Sequence, residues 1–334
     1  MAKSGWKESG TRMFRLWVSA ALAVSTAALL AQETPVFRSN VNLVRVVATV
    51  RDRTGALIGA LNKDDFEIYD NGVRQEIAVF DRQTGQPLSV SLLVDVSGST
   101  NIDLKYETVS AAKFLHALLM GGNPQDQAAL YSFDDAVQLE RNFTHNYASL
   151  DAALKKMHGS AGTSLYDAIF LAARDLESRQ GRKVLVIVSD GGNTTSTYDT
   201  HQALQAAQMA DAVIYPVVVM PITNDAGRNI GGENALTFMA QGTGGRTFLP
   251  ALGKQLDKAF EDIIAELRTE YVMGFYPHNV PLTKDKFHRL DVKARRTELQ
   301  VSARNGYYGD AEGDNSTPEA RVSLKPAAAP RKKQ

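Results

Sequence analysis

The stretch LSVSLLVDVSGST, Leu88–Thr100, decides the fold. Its apolar run is broken only by Ser89 and Ser91, ends on Asp95, and is followed by Ser97 and Ser99 at alternate positions. A run this continuously apolar reads as a strand buried on both faces, the pattern of a parallel sheet covered by helices. In such open sheets ligands gather beyond the carboxyl ends of the strands. A carboxylate at the end of a core strand, followed by small hydroxyl residues, is therefore an expected ligand set at a sheet edge.

Working outward, the same character persists from Leu88 to about Arg268. Further apolar strands read at AALYSF (128–133), KVLVIVS (183–189) and AVIYPVVV (212–219). Amphipathic helices lie between them. SLYDAIFLAARDL places Leu165, Ile169, Ala172 and Leu176 on one face, and HQALQAAQMADA and LDKAFEDIIAELR behave alike. Alternating strands and helices predict an α/β fold with a doubly wound, mostly parallel sheet. The polar strand AVQLERNF (136–143) follows its predecessor too closely for a crossover, which predicts an antiparallel edge.

The flanks have period two instead. In NLVRVVATVRD the residues Val44, Val46, Ala48 and Val50 share a face, and DFEIYDNGVRQEIAVF turns at Asn71-Gly72, a hairpin signal. After Thr269, YVMGFYP, HRLDVKAR and ELQVSARNGYY alternate likewise, with Leu290, Val292 and Ala294 expected to oppose Leu299, Val301 and Ala303. Neither flank can build a core alone, so the two are expected to pair into a smaller all-β, sandwich-like domain into which the α/β domain is inserted. The expected organisation is a signal peptide over 1–32, a β segment over 37–86, the α/β domain over 87–268, a second β segment over 269–308 and a disordered tail over 309–334 rich in Pro, Ala, Lys, Glu and Ser.

Composition narrows the function classes. The chain of 334 residues carries 37 basic and 37 acidic side chains and no cysteine. Net neutrality gives no field for nucleic acid or an anionic membrane. The lack of cysteine excludes disulfides, thiolate metal sites and a cysteine nucleophile. Lys3, Lys7, Arg12 and Arg15 precede the apolar run Leu16–Ala31. That order reads as a secretory signal cut soon after Ala31, leaving no membrane span; the other reading is a retained anchor. The run falls short of the ~20 apolar residues a spanning helix needs. Export to the periplasm, cell envelope or exterior is expected.

Two further loops supply oxygen donors at the same predicted edge. GSAGTSLYDAI (159–169) places Thr163 and Ser164 at a helix start, with Asp167 three residues on as in a capping box. VIVSDGGNT (186–194) ends a strand on Asp190 before two glycines. Two carboxylates and three hydroxyls, without histidine or cysteine, suit Mg²⁺ or Mn²⁺, admit Ca²⁺ and disfavour zinc. Such a shell leaves a position open to a carboxylate from another protein. Taken singly, each loop has a plainer reading: Ser97 and Ser99 as helix caps, Thr163-Ser164 as an N-cap, Asp190-Gly191-Gly192 as a turn.

VDVSGST, GTSLYDAI and VIVSDGGNT, in this order, resemble the three metal-ion-dependent adhesion site loops of von Willebrand factor type A domains. The resemblance implies that Asp95, Ser97, Ser99, Thr163 and Asp190 form a Mg²⁺ site, with Ser97, Ser99 and Thr163 touching the metal and the two acids acting through water. It implies a non-catalytic protein that captures an Asp or Glu of a protein partner. It also implies a last helix, here LDKAFEDIIAELR, that moves in switching members. The flanks resemble those of exported bacterial proteins called VWFA-related, abundant in Acidobacteria.

Other classes were weighed on the residues. Asp95 as a phosphatase nucleophile lacks a second acid at Ser97, and no Gly-x-Ser-x-Gly elbow exists. A structural envelope protein with a fold-stabilising metal is the third reading. The glycine-rich NDAGRNIGGEN and QGTGGRT match no phosphate-binding pattern and read as flexible loops. Of six histidines only His158 lies near the site loops.

Overall fold

The computed structural model describes residues 43–82, 85–98, 104–219, 229–281 and 286–309, with the backbone of 325–326. The predicted signal peptide, Ser99 and nearly all of the predicted tail lie outside the described residues.

At the centre is β5 (Leu88–Asp95), whose every residue is buried. It pairs in parallel with β6 (Gln127–Phe133) on one side and β8 (Arg182–Ser189) on the other, with Leu92 opposite both Leu130 and Val186. β8 pairs in parallel with β9 (Ala212–Val218). β7 (Val137–Thr144) runs antiparallel to β6, as its short connection requires, and the two-residue β14 (Lys325–Pro326) adds to its outer side. The sheet order is β14-β7-β6-β5-β8-β9.

The alternation of β5 sends its side chains to two cores. Leu88, Val90, Leu92 and Val94 pack with α1 (Leu104–Met120), α2 (Tyr147–Leu154) and α6 (Lys254–Leu267) through Phe114, Leu150, Phe260 and Ile263. Leu93 faces α3 (Leu165–Glu177), α4 (Thr200–Met209) and α5 (Ile230–Thr243) through Ile169, Ala203 and Leu236. Each such aliphatic side chain contributes about 1.5–3 kcal/mol on burial. The helix α5 overturns the expectation of a flexible glycine loop, because its sequence IGGENALTFMAQGT is helical. Gly231 and Gly232 sit in its first turn, and a Cβ on Gly232 would overlap the carbonyl oxygen of Gly191. Close approach, not freedom of motion, requires glycine there.

The flanks build two four-stranded antiparallel sheets. One has the order β12-β1-β10-β4, from β1 (Val44–Arg51), β4 (Ile77–Arg82), β10 (Tyr271–Phe275) and β12 (Gln300–Ala303). The other has the order β13-β11-β2-β3, from β2 (Phe66–Asp70), β3 (Val73–Gln75), β11 (Phe287–Ala294) and β13 (Gly306–Tyr308). In the first sheet strands from before and after the α/β domain alternate, with Val46 opposite Met273; in the second they meet once, at the β11–β2 pair, with Ile68 opposite Val292. Their inner faces share one core that includes Val46, Phe66, Ile68, Tyr271, Met273 and Leu290. Asn71 and Gly72, both at positive φ, make the β2–β3 turn.

One expected pairing is corrected. β11 and β12 do not form a hairpin: β11 pairs with β2 and β13, while β12 pairs with β1 in the other sheet. Both strands bury one face, so the turn between them crosses the sandwich and gives each inner face to the shared core. Among the described residues no helix is long and apolar enough to cross a membrane.

Candidate functional site

Asp95 is fully buried where β5 ends. Its Oδ1 accepts the Ser97 backbone N–H at 2.9 Å, and its Oδ2 accepts the Ser189 hydroxyl at 2.7 Å. The first bond folds the chain back at once after the strand, which holds the Ser97 hydroxyl against the sheet edge; Ser97 is itself buried. Ser189 also accepts the Gly191 N–H at 2.9 Å, so one hydroxyl joins the first and third loops. The sequence reading missed Ser189. Its signal was there, a hydroxyl residue directly before Asp190 at the end of an otherwise apolar strand.

Asp190 is half-buried, and its Oδ1 accepts the Gly192 N–H at 2.8 Å. A Cβ built on Gly192 would lie 3.0 Å from that oxygen and 3.6 Å from Thr163 Oγ1. The Asp190 carboxylate and the Thr163 hydroxyl therefore approach a common point, kept clear by the absence of a side chain at Gly192. Thr163 is 5 % exposed. Its N–H donates to Thr194 Oγ1 at 2.9 Å and its carbonyl accepts Thr194 N–H at 2.8 Å and Thr195 N–H at 3.2 Å. The second loop is thus bolted to the third through backbone on both sides of Thr163. Thr194 and Thr195 are further residues the sequence reading did not single out.

The second loop also rests on the first. Gly159 abuts Val96 so closely that a Cβ would overlap the Val96 carbonyl oxygen. The β6–β7 turn supplies the other support: Asp134 Oδ2 accepts the Ser160 N–H at 3.1 Å and the Ser160 hydroxyl at 3.0 Å. Ser164 donates its N–H to the Asp134 carbonyl at 2.6 Å and its hydroxyl to the Asp135 carbonyl at 3.1 Å.

The capping box expected at α3 is not formed. The Ser164 side chain makes no cap bond to the helix, because it is spent on the β6–β7 turn and on Thr195 Oγ1 at 2.8 Å. Asp167 instead accepts the N–H groups of Thr197 and Tyr198 at 2.8 and 2.9 Å, fixing the segment that follows Asp190. His158 is exposed, with Nδ1 3.0 Å from the Lys156 carbonyl.

Electrostatics follow from burial. Desolvation pushes the Asp95 carboxyl up to about 6, the negative charge of Asp190 adds to the rise, and the bonds from Ser97 and Ser189 oppose it. Two acids close enough to repel, one of them out of water, make a site in which a divalent cation removes an existing penalty. The donor set fits that cation: neutral hydroxyls from Ser97 and Thr163, two carboxylates, and a clear point at Gly192. Of the five residues expected to act together, four are brought to one sheet edge, and Ser99 lies outside the described residues.

Among solved structures, the chain is similar to the conserved hypothetical protein BatB from Bacteroides thetaiotaomicron, at 17% identity over 54% of this chain and 98% of that one, with a TM-score of 0.44. It is similar to the vWF domain of the type V pili tip protein Mfa5 from Porphyromonas gingivalis, at 16% identity over 54% and 94%, with a TM-score of 0.46. The PilB minor pilin from Streptococcus sanguinis is similar at 13% identity over 56% and 62%, with a TM-score of 0.44. A search of curated proteins found no match. Residues 90–193 match the family model of the von Willebrand factor type A domain, a span that runs from β5 through all three loops to Asn193. The chain therefore carries a von Willebrand factor type A domain.

Proposed function

We propose that this is an exported, non-catalytic binding protein that captures an Asp or Glu side chain of a protein partner through Mg²⁺. The residues that would hold the ion are Asp95, Ser97, Ser99, Thr163 and Asp190. Bound there, the ion supplies a hard electrophile with a coordination position for an incoming carboxylate. The chain's own residues do the rest. Asp95 and Asp190 provide charge that balances the cation without saturating it, and the hydroxyls add donors without adding charge. Ser189 orients Asp95, and Thr194 fixes the backbone of Thr163. The observation that carries this reading is the convergence of Asp190 and Thr163 on the clear point at Gly192, beside a buried Asp95.

A binding role is favoured over hydrolysis because Asp95 is fully buried and its two oxygens are turned to Ser97 and Ser189 within the fold. A nucleophilic carboxylate needs a lone pair facing substrate.

The test is metal-dependent capture. Envelope extracts passed over the immobilised full chain in Mg²⁺ should yield a partner that EDTA elutes and that Asp190→Ala does not retain. Capture indifferent to both EDTA and Asp190→Ala would end the proposal. Magnesium-dependent phosphatase turnover abolished by Asp95→Asn would replace it with the enzymatic reading.

A further inference from the structure

Far from the three loops, at the amino ends of β8 and β9, the α/β domain meets the sandwich around a cavity of about 20 Å³. Four cations line it, Arg45, Arg182, Lys183 and Arg304, against two carboxylates, Asp211 and Glu270. We propose that this cavity is an anion site and that its occupant is a chloride ion.

The first argument is unspent hydrogen-bonding capacity. The Nε–H groups of Arg45, Arg182 and Arg304 are buried and have no partner among the described residues. One orphaned buried donor is costly and uncommon; three around one cavity call for a shared acceptor. Arg182 is only 6 % exposed, so bulk water does not reach it freely.

The second argument is charge. Arg182 pairs with Glu270 at 2.9 Å, and Arg304 pairs with Asp211 at 2.5 Å. Arg45 has only uncharged acceptors, the Gly181 carbonyl at 3.0 Å and the Gln86 side chain. Lys183 has the Glu177 carbonyl at 2.9 Å. Among the described residues, two of the four cations thus have no carboxylate in direct contact. Burial weakens the hold of both Arg45 and Lys183 on their protons; the negative charge of Asp211 opposes this, and each also feels a neighbouring cation that adds to it.

The third argument is size. The space admits one small occupant. Water would satisfy a donor but carry no charge, and a phosphate or sulfate would not fit. A monatomic anion accepts from several N–H groups at once and offsets the surplus positive charge. It would tie Arg45 and Arg304 of the sandwich to Arg182 and Lys183 of the α/β domain.

The test compares thermal unfolding of the full chain in sodium chloride and sodium gluconate at equal ionic strength. The midpoint should rise by about 2–4 °C in chloride, saturating with concentration. Arg45→Gln should lose that response. The ³⁵Cl resonance should broaden in the presence of the wild-type protein and sharpen again when bromide is added. This last measurement decides the matter if Arg45→Gln does not fold. Equal midpoints in the two salts, an unchanged response in Arg45→Gln, or absence of ³⁵Cl broadening would each overturn the assignment.

Discussion

The two ends of the parallel sheet are built on opposite plans. At the carboxyl end the strands present acids and small hydroxyls, held by short bonds among three neighbouring loops. At the amino end they present cations, held by bonds that reach across the sequence from Arg182 to Glu270 and from Arg45 to Gly181. The first arrangement gathers negative charge and small hydroxyls at one edge of the sheet. The second buries positive charge between two layers, where it joins them. The contrast shows that one sheet can keep an acidic cluster and a basic one at separate edges.

The largest effect is expected at the amino end. Arg182→Met should destabilise the protein by about 3–5 kcal/mol, since it leaves Glu270 buried and unpaired. Chemical denaturation checks the value. The acid itself makes the effect depend on pH. Burial pushes Glu270 up to about 7 in spite of Arg182, well above its ordinary 4.5. The folded protein therefore binds this proton more tightly than the unfolded chain. The stability it contributes is complete below about pH 4.5 and is lost as pH rises to about 7. Denaturation midpoints measured across that range should show the Arg182→Met penalty shrinking towards acid pH. A penalty that grew in acid would reverse the argument.

Next in size is Gly159→Ala at the carboxyl end. The new methyl group meets the Val96 carbonyl, so the second loop must move off the first. A cost of about 1–3 kcal/mol is expected, together with weakened Mg²⁺ binding by calorimetric titration. Stability lost with Mg²⁺ affinity intact would mean that the two loops do not share a site.

Ser189→Ala probes the link between the first and third loops. It removes the hydroxyl donor to Asp95 Oδ2 and should cost about 1–2 kcal/mol in the absence of metal. The smallest effect is expected at Lys155, whose exposed pair with Asp151 serves neither end. Lys155→Ala should leave both the unfolding midpoint and Mg²⁺ binding unchanged.

The same contrast explains what the sequence made legible. Asp95 and Ser97 are two residues apart, Asp190 ends its own apolar strand, and Thr163 opens a helix, so each local pattern carried its meaning. The cations at the other end come from positions 45, 182, 183 and 304, which only the folded topology brings together. No local spacing could have revealed them. The helix α5 was missed because glycines at 231 and 232 speak against a helix, and only the packing on Gly191 explains their presence. The β11–β12 pairing was misjudged for a related reason: alternation shows which face is buried, but not which sheet a strand joins.

The insertion itself has a mechanical consequence. The chain leaves the sandwich for the α/β domain after β4 and returns in β10, and these are neighbouring strands with Arg82 opposite Tyr271. A pull on the α/β domain would reach the sandwich through two adjacent tethers. Because β4 bonds only to β10, the load would fall in shear on the β10–β1 pairing, across several backbone bonds at once and not peeled one bond at a time. A single cut in either tether would leave the α/β domain attached through the other.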